Sequence, residues 1–323
     1  MKPCSVCGNE SGNEIHQAKE KMLGMYEDFR YQECAQCGLV ELIDVPKDLG
    51  KYYPSNYYSF NRPSKFKQYL KGKRGSFTFG KKSVLGALTY KLLGPSPLSH
   101  YFKEAQVKND DAIIDIGCGY GSFISELRDT PYRNVMGVDP NISENIQHGN
   151  IEVKKAFLHD LKGKSFDFIM LHHSLEHMDK PKDTIREIER ILSKDGKILI
   201  RIPVIGYAWK HYGVNWYSLD APRHLYLHSK KSLAMLLDEF GLEIYKIVYD
   251  SSDQQFWGSE QYLKNITLDA ENSYYKNPKN SMFSPETISS YRKKAEELNQ
   301  QEDGDMACFY VSRKGNAEGA ALN

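Results

Sequence analysis

From Asp111 onward, short apolar runs of strand length alternate with stretches of helical spacing. The runs are AIIDIG (112–117), VMGVD (135–139), FDFIML (166–171) and KILIRIP (197–203). Pro181 to Leu192 reads as an amphipathic helix with Ile185, Ile188, Ile191 and Leu192 on one face. A second helix runs from the Ser229 cap to Phe240, is ended by Gly241, and leads into the strand LEIYKIVY. The polar helix Glu286 to Asn299 precedes a last strand, Met306 to Arg313. Strands separated by helices predict βαβ units and a mainly parallel sheet, an α/β sandwich completed by a C-terminal strand.

Upstream the pattern differs. Residues 1 to about 45 are Cys-rich and short on helical periodicity. Tyr52 to Phe60 (YYPSNYYSF) reads as an irregular, Pro-punctuated connection. Ser83 to Leu93 is a helix, with a Ser cap, apolar Val84, Leu85, Leu88 and Leu92, and a Gly94-Pro95 stop.

At 323 residues the chain is long enough for one large domain and a smaller module. No apolar run approaches the roughly 18 residues that span a bilayer, and MKPCSVCG has no signal-peptide core. A cytoplasmic protein is therefore expected, with at most peripheral membrane contact. The formal net charge of +1 conceals an asymmetry. Leu49 to Lys103 holds eleven Lys and Arg and no Asp or Glu, leaving 32 basic against 42 acidic residues elsewhere. That segment is suited to negative charge: a nucleotide or lipid diphosphate, an anionic membrane face or nucleic acid, with a solvated helix surface as the simpler account.

Four of the six cysteines form two knuckles, Cys4-x-x-Cys7-Gly8 and Cys34-x-x-Cys37-Gly38. Each puts two thiolates on one side of a tight loop, and four thiolates complete a tetrahedral structural zinc site with no open position. His16, between them, reads as a loop residue; Cys118 and Cys308 read as packing residues.

The first strand opens into Gly117-Cys118-Gly119-Tyr120-Gly121, preceded by Asp115. Glycines at the carboxyl end of a strand admit close approach of a cofactor. Asp139 ends the next strand, placed to hold two ribose hydroxyls. A dinucleotide fingerprint would carry its third glycine at position 122, which is Ser122.

AIIDIGCGYGSF, GVDP, FDFIMLHHSLEHM and ILSKDGKILIRIP together resemble the ordered motifs of class I S-adenosylmethionine-dependent methyltransferases. With the paired cysteines, the chain is similar to zinc-ribbon-bearing methyltransferases of sugar and cell-surface polysaccharide biosynthesis. Two further elements carry that likeness: Tyr53 to Tyr58, and Asp220-Ala221-Pro222-Arg223-His224-Leu225. The resemblance implies a Rossmann-like, seven-stranded sheet over 109–323, a ribbon over 1–45, and a basic, aromatic connection with a helix over 46–108. A substrate-side lid is expected near 204–228. Gly117, Gly119 and Gly121 would admit the cofactor, Asp115 would orient the loop or the cofactor's amino group, and Asp139 would accept the ribose hydroxyls. Phe157 and Leu158 would meet adenine, with core packing an equal alternative for Phe157. His172 or His173 would lie near the sulfonium.

Methyl transfer to a hydroxyl needs an in-line geometry and a base. His177 is the first candidate, with Glu176 as its orienter or as the base itself; the alternative is that the pair only ties down its loop. His224 is the second candidate. Tyr207, Trp216, Arg223 and Tyr226 suit a sugar or nucleobase and a phosphate or carboxylate; packing within a lid is the simpler account. The expected activity is O-methylation of a nucleotide-linked or surface-glycan sugar, with a phosphate-bearing acceptor preferred. Carbon methylation of a sugar, and a nucleic-acid-binding protein acting on RNA or catalytically inactive, are the alternatives; nucleic acid is not an expected partner.

Overall fold

The computed structural model describes residues 2–53 and 64–316. Near the N-terminus, β1 (Glu14–Lys19), β2 (Asp28–Glu33) and β3 (Val40–Leu42) pair antiparallel, Glu14 opposite Glu33 and Tyr31 opposite Leu42. Strand alternation buries Phe29 and Tyr31 and leaves Asp28 and Arg30 in solvent. His16 is not a loop residue: it sits on β1, its Nε2 2.9 Å from a Glu33 carboxylate oxygen.

Three helices follow, α1 (Lys65–Thr78), α2 (Val84–Leu93) and α3 (Pro97–Ala105). The basic segment is thus a helical layer rather than a connection with one helix. α2 matches the expected one, its first turn capped by Ser83 Oγ accepting from the Gly86 amide at 2.9 Å. α1 has no sequence stripe to announce it, because KFKQYLKGKRGSFT is basic and carries two glycines. Tertiary contacts hold it instead. Arg74 pairs with the buried Glu126, Lys71 donates to Ser122 Oγ at 2.7 Å, and Lys73 Nζ lies 3.5 Å from Asp129. Residues 54–63, most of the Tyr-Pro-x-x-Tyr-Tyr segment, lie outside the described residues.

The main sheet starts with β4 (Ile113–Ile116), β5 (Val135–Val138), β6 (Ile146–His148), β7 (Ile151–Lys154) and β8 (Phe166–His172). Then come α4 (Pro181–Ile191), β9 (Leu192–Pro203), α5 (Tyr207–Tyr212), β10 (Tyr226–Leu227) and α6 (Lys230–Asp238). β11 (Leu242–Tyr249), α7 (Gln254–Leu263), α8 (Pro285–Gln300) and β12 (Met306–Arg313) complete the chain. The order is β11-β12-β9-β8-β4-β5-β7-β6: the seven expected strands plus a short edge strand, β6. β4, β5, β7, β8 and β9 run parallel; β12 inserts antiparallel between β9 and β11.

Successive side chains feed two cores. On one face Ile114, Ile116, Ile169 and Leu171 meet Ile185, Ile188 and Ile191 of α4 and Leu233, Leu236 and Leu237 of α6. On the other, Ile113, Phe168 and Met170 meet Leu98, Tyr101 and Phe102 of α3. Burial on both faces is what makes these strands read as continuous apolar runs.

The 204–228 segment, expected as a substrate-side lid, packs as a layer against the small sheet while Tyr217, Ser218, Asp220, His224 and Leu225 line the cleft described below. β10 pairs with β3, and Trp216, Leu219, Leu225 and Leu227 are buried against Tyr31, Val40 and Leu42 of the small sheet. The cysteine module and the 204–228 segment are therefore one structural unit. Cys4, Cys34, Cys37 and Leu39 also join the core that contains α4 and α6.

Candidate active site

Strand order reverses at β4, flanked by β5 on one side and β8 on the other, and such a switch point opens a crevice at the carboxyl ends of the strands. The crevice here is a cleft of about 1610 Å³. Ligand sites usually measure roughly 300–1,000 Å³, so this one has room for a cofactor and an acceptor together.

Asp115, Gly117, Gly119, Asp139, Phe157, Leu158, His172 and His173, all expected at a cofactor, line it. Gly117 and Gly119 have φ of +72° and +54°, the left-handed region that glycine reaches freely. Gly121 does not line the cleft; a Cβ there would fall 2.5 Å from Val153 Cγ2, so its bare backbone serves packing on β7. Asp139 accepts the Gly119 and Asn141 amides, one on each oxygen, both at 2.8 Å. Those bonds aim a carboxylate that retains further acceptor capacity. Among the described residues Asp115 Oδ1 is buried without a hydrogen-bond partner, and burial, reinforced by Asp139, pushes its pKa well up. An orphaned acceptor beside a glycine cradle fits a bound cofactor that brings donors. Phe157 is 56% exposed and stacks on His159, so it is a cleft wall and not core. His172 stacks on Phe123 with ring centroids 4.3 Å apart, while His173 Nδ1 lies 3.5 Å from Glu176 Oε1. Burial drives both imidazole pKa values well down.

Beyond this pocket the turn after β8 meets the 204–228 segment, and Glu176, His177 and His224 come together on the same cleft. His177 Nδ1 lies 2.9 Å from the Arg223 carbonyl and His224 Nδ1 2.7 Å from the Ser218 carbonyl. A carbonyl only accepts, so each Nδ1 carries a proton, and in neutral His177 the lone pair is left on Nε2. The rings stand 4.7 Å apart. Burial, then His224, lowers the His177 pKa, while Glu176 works to raise it. Glu176 is itself 1% exposed, and among the described residues neither carboxylate oxygen has a hydrogen-bond partner. Ligand-type atoms of Glu176, His177 and His224 lie within 4.8 Å of one another, a set also able to hold a divalent cation.

The four expected acceptor-binding residues do not line the cleft. Trp216 is fully buried, with Nε1 donating to Asp305 at 2.9 Å. Arg223 is buried and holds Asp220, the Tyr52 carbonyl at 3.1 Å and Met22 Sδ at 3.0 Å. Its guanidinium overcomes the burial penalty on Asp220 and keeps that carboxyl below its usual range. Tyr207 accepts from Lys294 at 2.6 Å, and Tyr226 donates to the Asp179 carbonyl at 3.0 Å. In their place Met22, Tyr53, Tyr217 and Asp220 line the acceptor side. Tyr53 Oη is 3.2 Å from His177 Nδ1. Sequence reasoning also missed Tyr31, whose hydroxyl donates to the His224 carbonyl at 2.9 Å from within β2.

At the other end of the 204–228 unit the four cysteines converge. Cys4 and Cys37 sulfurs are 3.6 Å apart, Cys7 and Cys34 sulfurs 3.5 Å, and all four lie within 4.8 Å of one another. Tetrahedral Zn–S bonds of about 2.3 Å require S···S edges near 3.8 Å, so the cluster is compatible with zinc.

A Rossmann-like sheet with an antiparallel last strand inserted next to its edge, carrying a glycine cradle and an acidic residue on the next strand, is the methyltransferase fold. Residues 94–247 match the family model described as "Methyltransferase domain". Demethylmenaquinone methyltransferase of Lactobacillus johnsonii is 28% identical over 133 residues, 35% of this chain and 54% of the relative. An uncharacterized protein of Methanocaldococcus jannaschii is 28% identical over 106 residues, 32% of this chain and 45% of the relative. The chain thus spans about half the length of the curated relatives it matches. Among solved structures, coclaurine N-methyltransferase bound to N-methylheliamine and SAH aligns over 84% of each chain at 17% identity and a TM-score of 0.44. A SAM-dependent methyltransferase from Archaeoglobus fulgidus aligns over 72% of this chain and 100% of its own, at 20% identity and a TM-score of 0.43.

Proposed function

We propose that this protein is an S-adenosylmethionine-dependent methyltransferase that O-methylates a phosphate-bearing sugar, with a structural zinc on Cys4, Cys7, Cys34 and Cys37. The observation that carries the reading is the meeting, on one cleft, of the Gly117–Gly119–Asp139 cradle with two histidines whose Nδ1 atoms are tied to backbone carbonyls. S-adenosylmethionine supplies, when bound, a methyl group on a sulfonium. Asp139 would hold its ribose and Asp115 the end of the cradle, while Phe157 and Leu158 flank the base. The acceptor hydroxyl gives its proton to His177 Nε2 as its oxygen takes the methyl group. Glu176 stabilises the imidazolium that forms, and His224 packs against the same ring. Lys67 and Lys180, which line the cleft, would meet an acceptor phosphate.

The test is a methyl-transfer screen over nucleotide sugars and the matching neutral sugars, with calorimetry of S-adenosylmethionine binding. Transfer to phosphate-bearing acceptors is expected, with cofactor affinity severely weakened in Asp139→Ala. Unchanged cofactor affinity in that variant would overturn the cofactor assignment. Equal rates on both acceptor sets would remove the phosphate, and transfer to RNA alone would remove the sugar.

A further inference from the structure

α2 presents an apolar stripe to solvent. Val84, Leu88 and Leu92 follow one another at i, i+4 and i+8, so they share a face, and they are 90%, 52% and 73% exposed. Leu93 at the helix end is 60% exposed. The opposite face is the one that packs: Gly86 and Thr89 are buried, and a Cβ at Gly86 would lie 2.8 Å from Phe77 Cβ and 2.9 Å from the Lys73 carbonyl of α1. α2 is thus held rigidly by its small-residue side with its leucines outward. Single exposed apolar residues are ordinary on soluble proteins, but a contiguous helical stripe marks a contact surface.

Charge selects the occupant. Lys91 lies seven residues after Val84, on the same face, and Lys81 and Lys82 lead into the helix. All three are exposed and form no ion pair among the described residues, unlike Lys73 and Arg74 of α1, which pair with Asp129 and Glu126. No Asp or Glu occurs between Leu49 and Lys103. A second copy docking on this stripe through a two-fold axis would oppose lysines to lysines, whereas an anionic lipid surface complements both the stripe and its rim. Among the described residues no helix is long and apolar enough to cross a membrane, and a ten-residue helix of this kind lies in the plane of the interface.

We propose that α2 docks the protein on an anionic bilayer, with Val84, Leu88 and Leu92 entering the acyl boundary and Lys81, Lys82 and Lys91 meeting the headgroups. The surface stands apart from the catalytic cleft, and the proposal does not depend on the reaction assigned there.

Co-sedimentation of the full chain with vesicles tests it, using phosphatidylcholine alone and phosphatidylcholine mixed with phosphatidylglycerol. Binding to the anionic vesicles at least about ten-fold stronger than to the neutral ones is expected, decreasing with salt. Leu88→Asp/Leu92→Asp and Lys81→Glu/Lys82→Glu/Lys91→Glu should each abolish it, with S-adenosylmethionine affinity and thermal midpoint unchanged. These positions face solvent, so the variants should fold. Absence of wild-type binding to either vesicle, or binding that survives the charge reversals, would overturn the proposal. A dimer in solution that dissociates in Leu88→Asp/Leu92→Asp without any lipid dependence would assign the stripe to a second copy instead.

Discussion

His177 titrates in a setting that burial dominates, and the sign of each neighbour's effect can be read from the geometry. Loss of hydration disfavours the imidazolium, His224 adds to that, and Glu176 opposes it, with the balance below the ordinary value of 6.5. As the proposed base, His177 would accept the proton in its neutral form, so activity should be retained as pH falls through 6.5 and fail only below it. Glu176→Gln removes the stronger of two acidic neighbours, Asp220 being the other, and the acid limb of kcat should move to still lower pH. His177→Ala should lower kcat by about 10²- to 10⁴-fold with cofactor affinity intact. pH profiles of the wild type and Glu176→Gln decide the matter. A shift of the limb to higher pH would remove His177 as the base. An inactive Glu176→Gln protein that regains activity with added Mn²⁺ or Zn²⁺ would assign the cluster to a cation.

At the scale of elements, α1 shows how a helix without an apolar stripe is selected by what it touches. Its glycines make opposite predictions. A Cβ at Gly75 would fall 2.0 Å from the Glu126 carbonyl oxygen, in the turn that follows the cofactor loop, so the helix or the loop must shift. Gly75→Ala should cost about 1–3 kcal/mol, as overpacking does, and weaken cofactor binding. A Cβ at Gly72 finds its nearest neighbour at 3.7 Å, ordinary contact. Gly72→Ala should therefore be neutral or stabilise by about 0.5–1 kcal/mol through helix propensity. Urea unfolding of the two variants checks the contrast, and equal effects would refute the close docking of α1. Much at this scale was legible beforehand. α2, α4, β11 and β12 fall within a residue of their expected bounds because cap, stripe and alternation are local signals. α1 and the two-residue β10 were not legible, since beyond the Ser64 cap of α1 the contacts that hold them, to Glu126, Ser122, Asp129 and β3, are distant in sequence.

Across the whole molecule, the cysteine module and the Glu176–His177–His224 cluster form one mechanical unit. Tyr31 of β2 donates to the His224 carbonyl, the Leu42 amide donates to the Leu225 carbonyl at 2.9 Å, and Ser229 Oγ donates to the Cys37 carbonyl at 2.5 Å. Zinc analysis should give one ion per chain. Cys34→Ser should lower the thermal midpoint and also lower kcat at saturating cofactor, because the sheet that holds His224 loosens. Loss of thermal stability with kcat unchanged would show that the small sheet holds its shape without the metal. A folded protein free of metal would refute the zinc assignment.

The sequence by itself determined the alternating α/β order, the glycine cradle with Asp139, the four cysteines and the His177–Glu176 pair, because spacing along a strand, helix or turn encodes each of them. It did not determine which side chains face the acceptor. Residue chemistry pointed to Tyr207, Trp216, Arg223 and Tyr226, yet each is spent on a partner within the protein and none of the four lines the cleft. Exposure is a property of contacts made across the chain, and only the tertiary structure settles it: Trp216 beside Asp305, Arg223 against Tyr52 and Met22, and the leucines of α2 left facing outward.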